Sequence, residues 1–113
     1  MITRDGNLYL IDTNMNVQFT GARTSRKEIF GTIIDGEHIT HNKKGSFINL
    51  YAAFDIYYLR GDDIRRYGFV GSAEEDPNNF RLPILNSCIQ TLQPFGVTSR
   101  ESPSPLRIEA KTF

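Results

Sequence analysis

The stretch from Phe47 to Tyr58 (Phe-Ile-Asn-Leu-Tyr-Ala-Ala-Phe-Asp-Ile-Tyr-Tyr) constrains the fold more than any other part of the chain. It is rich in β-branched and aromatic residues, which suit a pleated, half-buried surface, so it reads as one long strand. Gly61-Asp62-Asp63 stops it. A strand of that length needs neighbours to take its backbone hydrogen bonds, and the first half of the sequence supplies them. Asp5-Gly6 before Leu8-Tyr9-Leu10-Ile11 is a short-range hairpin signal. Asn14-Met15-Asn16 turns the chain again into Val17-Gln18-Phe19-Thr20. Thr32-Ile33-Ile34 reads as a buried strand that breaks at Asp35-Gly36 and resumes from Glu37 to Thr40, with a turn at Asn42-Lys43-Lys44-Gly45. Gly21 to Phe30 is polar and reads as a loop or a short helix.

The second half is less regular. Residues 71–79 form a polar loop. Leu85, Cys88, Ile89 and Leu92 then fall at i, i+3, i+4 and i+7, one apolar helix face, and Pro83 fits the first turn, where its missing N–H costs nothing. Residues 94–105, with Pro94, Pro103 and Pro105, read as a loop, and Leu106 to Lys111 as a last strand cut off at Phe113. At 113 residues the expectation is a single α+β domain, mainly an antiparallel sheet with one packed helix.

Composition removes several function classes. The formal net charge is zero, so the whole chain exerts no strong pull on nucleic acid, although a local basic face stays open. Cys88 is the single cysteine, which precludes an intrachain disulfide and suits a reducing compartment. The apolar runs are too short to span a bilayer, and residues 1–20 lack the charged start and apolar block of a secretory signal. The expected location is intracellular, in the cytoplasm, with no membrane partner.

Two strings carry candidate chemistry. In Asp35-Gly36-Glu37, glycine permits a kink that points Glu37 toward a cleft. There a carboxylate accepts hydrogen bonds from both hydroxyls of a ribose or faces a metal; the plainer reading is a hairpin turn with two solvated acids. In Phe54-Asp55, strand alternation puts residues 52, 54 and 56 on one face and 51, 53, 55 and 57 on the other. Phe54 then either stacks beneath a purine or fills the core, and Asp55 ties down a neighbouring loop. His38 and His41 sit on opposite sides of a strand and make a poor metal pair. Cys88 belongs to the helix's apolar face, Arg23, Arg26 and Lys27 to a solvated loop, and Lys43-Lys44 to a turn. The sequence has no glycine-rich phosphate loop, paired-cysteine zinc site or Ser/Cys triad signature.

In order, these strings resemble the nucleotidyltransferase domain of viral mRNA capping enzymes, especially those of large DNA viruses. That superfamily also contains the ATP-dependent DNA and RNA ligases. Ile33-Ile34-Asp35-Gly36-Glu37 matches its apolar strand ending in Asp-Gly-Glu. Tyr51 to Gly61 matches its aromatic strand ending in Phe-Asp-Ile/Leu, and Asp63-Ile64-Arg65 continues the pattern. Gly6 to Asp12, Asn16-Val17 and Thr20-Gly21 resemble the hairpin after the family's nucleophile motif. The match covers residues 1–65 well and 66–113 loosely.

The resemblance implies a fragment of a covalent nucleotidyltransferase domain, of the ATP-grasp-like ligase and capping type. The reaction implied is attack of a lysine on the α-phosphate of GTP, followed by GMP transfer to a 5′-diphosphate RNA end. Carried over by position, Glu37 is a ribose or metal-side contact and Phe54 the base-stacking ring. The complete enzyme would use Mg or Mn, with GTP and the RNA end as partners, in the cytoplasm, a virus factory or a virion. The family's Lys-x-Asp-Gly motif is not in this sequence: Thr3 stands where Arg4-Asp5-Gly6 would need the lysine. The later carboxylate strand and Lys-x-Lys pair are not in it either, although Leu106 to Phe113 resembles the stretch just ahead of them. The expectation is therefore a nucleoside-binding central fragment with no catalytic residue, inactive alone, completed by remaining domain segments or a partner chain. Two rivals stand beside it, a ligase fragment and a non-catalytic β-rich binding module in which Glu37 is turn and Phe54 core.

Overall fold

The computed structural model describes residues 1–111. Its sheet is built from eight strands: β1 (Ile2–Arg4), β2 (Asn7–Ile11), β3 (Val17–Arg23), β4 (Ile33–His41), β5 (Phe47–Leu59), β6 (Asp62–Asp63), β7 (Phe95–Gly96) and β8 (Arg107–Ala110). One helix, α1, runs from Arg81 to Leu92, and short 3-10 turns lie at Lys27–Ile29 and Pro77–Asn79. The strand order is β6-β5-β4-β1-β2-β3-β7, antiparallel throughout, and β8 pairs with β5 in parallel. The fold class is α+β, as the sequence implies. None of the helices among the described residues is long and apolar enough to cross a membrane.

The turn chemistry explains the hairpins. Asp5 and Gly6 both take positive φ (52° and 84°), the primed geometry that follows the right-handed twist of β1 and β2. Asp12 closes the β2–β3 turn, its Oδ1 accepting from the backbone N–H groups of Asn14 and Asn16 at 2.9 Å. The polar segment after Thr20 is shorter than the sequence suggests, because β3 continues through Arg23 before the 3-10 turn begins. Phe95 and Gly96, placed in a loop by the prolines around them, pair with Ala22 and Arg23 at the sheet edge.

The core lies between the sheet and α1. Leu8, Ile34, Tyr51, Ala53 and Ile56 meet Ile84, Leu85, Cys88 and Leu92, all buried. The helix ends at Gln93, in the left-handed region, and Thr24 caps it by donating its buried hydroxyl to the Leu92 carbonyl. Thr3, also buried, donates its hydroxyl to the Ile29 carbonyl at 2.7 Å and so fixes β1 under the 3-10 turn.

Candidate functional site

β4 runs unbroken through Asp35-Gly36-Glu37, and the irregularity lies on its partner. Asp35 is in register with Asp55 and Gly36 with Ala53, which leaves Phe54 as the extra residue of a β-bulge. The expected kink in β4 is thus a bulge in β5. Glycine is needed at position 36 for a different reason. A Cβ there would stand 2.5 Å from the Ala52 carbonyl oxygen and 2.7 Å from the ring of Tyr51, distances that no side chain tolerates.

The bulge also corrects the facing of β5. Burial follows Tyr51, Ala53 and Ile56, so the period of two breaks between 53 and 56. Ile56 belongs to the core with Tyr51 and Ala53 rather than with Phe54. Phe54 and Asp55 are both only partly buried, which takes Phe54 out of the fully buried core.

Glu37 is exposed and pairs with Ala52. Phe54 therefore lies two residues along β5 from the ladder partner of Glu37, at the bulge. Register extends the face of Glu37 across the sheet. Ile2 pairs with both Tyr9 and Ile33, and Ile33, Asp35 and Glu37 alternate along β4. Beyond β4, Ile2, Tyr9, Ile11 and Val17, with the charged Arg4 and Asp5 beside them, line an open hollow of about 530 Å³, and the Phe19 ring lies 5.6 Å from that of Tyr9. Over Phe54 itself lies Lys111, its Nζ 5.8 Å from the ring centroid and its backbone N–H donating to the Ala53 carbonyl at 2.6 Å.

Asp55 does tie down a neighbouring loop. Arg81, the first residue of α1, donates through Nε to Asp55 Oδ1 at 2.9 Å. Its Nη1 donates to the carbonyls of Arg65 and Tyr67 at 3.0 and 2.7 Å, and its guanidinium lies 5.6 Å from the Phe69 ring centroid. One arginine thus joins the bulge, the helix start and the loop after β6. Asp35 is engaged too: it accepts from the Tyr57 hydroxyl at 2.6 Å, and that hydrogen bond, with burial, pushes the Tyr57 hydroxyl up to about 12.

A cleft of about 870 Å³ opens between the end of the β2–β3 hairpin and β4. Leu10, Ile11, Asp12 and Gln18 form one wall, and Ile34, Asp35, His38 and Tyr51 the other. The Met1 amine sits at its base, donating to the Ile34 carbonyl at 2.6 Å and the Tyr51 hydroxyl at 3.2 Å. Burial pulls that amine down to about 6, against the raising influence of Asp35.

The remaining candidates disperse. His38 contacts Asn49 Oδ1 at 2.6 Å and His41 the Thr40 hydroxyl at 3.0 Å. No group of three or more His, Cys, Asp or Glu side chains among the described residues is placed to hold a metal. Cys88 is buried on the helix, and burial pushes its thiol up to about 11, far from a nucleophile's range. Arg23 lies in β3, partly buried, rather than in a loop, and Arg26 donates to Gln93 at 2.5 Å. Lys43 and Lys44 are exposed in their turn. Sequence reasoning missed Arg81 and Lys111 as parts of the site. Neither carries a local signal, because each is defined by what lies across the fold from it. Compared with family models, with curated proteins and with solved structures, the chain matches none.

Proposed function

We propose that this chain is the nucleoside-recognising part of an mRNA guanylyltransferase-like nucleotidyltransferase domain. The observation that carries the reading is an exposed carboxylate, Glu37, whose ladder partner Ala52 lies two residues before a partly exposed ring, Phe54, at the bulge of β5. A purine stacks on Phe54, and the ribose hydroxyls donate to Glu37. Stacking on an aromatic ring is worth about 1–3 kcal/mol, against about 0.5–1 kcal/mol for an exposed cation over a ring, so a base displaces Lys111 from the ring face it covers. Asp55 takes no part in recognition, since Arg81 holds it.

The residues present do not fit the magnesium or manganese of the complete enzyme. Asp35 is bonded to Tyr57, Asp55 to Arg81, and Glu109, which shares the ladder partner Ala52 with Glu37, to Arg107, so no second unengaged carboxylate stands beside Glu37. Nor does the sequence contain a Lys-x-Asp-Gly nucleophile, so the reading assigns this chain recognition and no bond-making step.

An NMR titration with GTP tests the reading. Saturable shifts are expected at the Glu37 amide and the Phe54 ring protons, in the weak range set by missing phosphate contacts, and lost in Phe54→Ala with the circular dichroism unchanged. No shift at either position, with Phe54→Ala unfolding the protein, would mark a structural β-rich module instead. A stacking ring accepts either purine, so ATP in place of GTP is expected to give the same shifts. Incubation with labelled GTP and Mg²⁺ is expected to leave no acid-stable label on these 113 residues, and a labelled band would overturn the restriction to recognition.

A further inference from the structure

The outer edge of β3 is bare over its first residues. β3 pairs with β2 from Val17 to Phe19, whereas β7 meets it only at Ala22 and Arg23. Among the described residues no backbone group bonds to Val17 or Phe19 from the outer side. The direction of their own groups follows from the hairpin. The Asp12 N–H donates to the Asn16 carbonyl at 3.1 Å, which makes 12 and 16 a bonded pair. Bonded and unbonded pairs alternate along an antiparallel ladder. Gln18 therefore bonds inward, to Leu10, and Val17 and Phe19 turn their N–H and C=O groups outward. Proteins usually blunt such an edge with charge, proline or a very short strand. Elsewhere this sheet does so: β6 is a pair of aspartates, and β8 carries Arg107 and Glu109. Residues 13–22 hold no charged residue and no proline, and Val17 and Phe19 are 62% and 42% exposed.

We propose that this edge binds a second copy of the chain, β3 against β3, antiparallel about a two-fold axis through Gln18. The occupant is a second copy because the edge is complementary to itself. Pairing about Gln18 sets Val17 opposite the partner's Phe19, and Phe19 opposite the partner's Val17. All four residues face outward, so each pair exchanges both of its main-chain bonds. The side chains agree with the backbone. Tyr9 is in register with Phe19 and Ile11 with Val17, so a continuous row forms on the face opposite Leu8: Tyr9, Phe19, the partner's Val17 and the partner's Ile11. An aromatic ring against a β-branched side chain is a favourable cross-strand pair. The contact is isologous and uses up the bare edge of both copies, so assembly stops at the dimer. This inference goes beyond the nucleoside reading and shares no residue with it, since Glu37 and Phe54 lie in strands on the other side of β1.

Sedimentation equilibrium of the chain from about 0.02 to 2 mM tests the proposal, because so small an interface belongs to the weak class. A monomer–dimer equilibrium with no larger species is expected, with amide exchange at Val17 and Phe19 slowing as the dimer fills. Gln18 is exposed and meets itself at the axis, so a charge placed there reports the register. Gln18→Lys and Gln18→Glu should each weaken association at least about threefold, as like charges directly opposite do. An equimolar mixture of the two should recover it, since lysine then faces glutamate. Three results would overturn the proposal: a monomer at every concentration, a mixture that associates no better than either variant alone, or slowed exchange at another edge in place of β3.

Discussion

Gly36 shows how a single residue can be read correctly as special and for the wrong reason. A glycine between two acids suggests a kink, but the backbone there is an ordinary strand. What the fold demands is room for the Tyr51 ring and the Ala52 carbonyl, and that demand exists only once β5 is laid beside β4 in one register. Register was not legible because it is fixed by bulges, and bulges leave no mark in a stretch as rich in apolar and aromatic residues as Phe47 to Tyr58. Gly36→Ala puts a methyl group where the backbone of β5 cannot retreat. A destabilisation of about 1–3 kcal/mol is expected, as for other overpacked sites. Urea unfolding of the variant measures it, and a loss below about 0.5 kcal/mol would show that the close approach does not hold.

At the scale of elements, periodicity carried the reading wherever it was uninterrupted. Of the helix face Leu85, Cys88, Ile89 and Leu92, three residues are buried as the 3.6-residue spacing implies, and Ile89 is partly buried. The hairpin at Asp5-Gly6 forms where its turn residues direct. β5 departs from its period because the strand carries the bulge that frees Phe54 and Asp55 from the core. Asp55 then needs a counter-charge, and α1 supplies it from its first residue. Arg81→Met removes that counter-charge and the bonds to the Arg65 and Tyr67 carbonyls. Breaking a fully buried pair costs about 3–5 kcal/mol; this pair keeps about a fifth of its side-chain exposure, so about 1–3 kcal/mol is expected. Adding Asp55→Asn should recover part of the loss, since the stranded charge disappears. Limited proteolysis should cut the single variant faster within residues 64–69. A double variant no more stable than the single one would deny the coupling between bulge and helix.

The molecule as a whole is two half-sheets joined at a narrow seam. β2, β3 and β7 lie on one side, β4, β5, β6 and β8 on the other, and β1 bridges them through Ile2, Thr3 and Met1. Both halves were legible in outline, since hairpins are local, but the seam is made by residues some thirty positions apart and has no local signal. It leaves the stability of the protein dependent on the Met1 amine. Unfolded, that amine takes its ordinary value of 8.0; folded, burial lowers it to about 6. Between these values the unfolded chain binds the extra proton, so stability rises with pH across the window. Above about pH 8 the amine is neutral in both states and the penalty is gone; below about pH 6 it is charged in both and the full penalty applies. A shift of two units corresponds to ~2 kcal/mol, allowing for the water that still reaches the site. The other displaced groups titrate elsewhere: Asp63 is pulled down to about 2 by its hydrogen bonds to Arg65, and Cys88 is pushed up to about 11 by burial. The urea midpoint is therefore expected to climb from pH 5.5 to pH 8.5, and acetylation of the amine should flatten that climb. A climb that survives acetylation unchanged would move the pH dependence away from the seam.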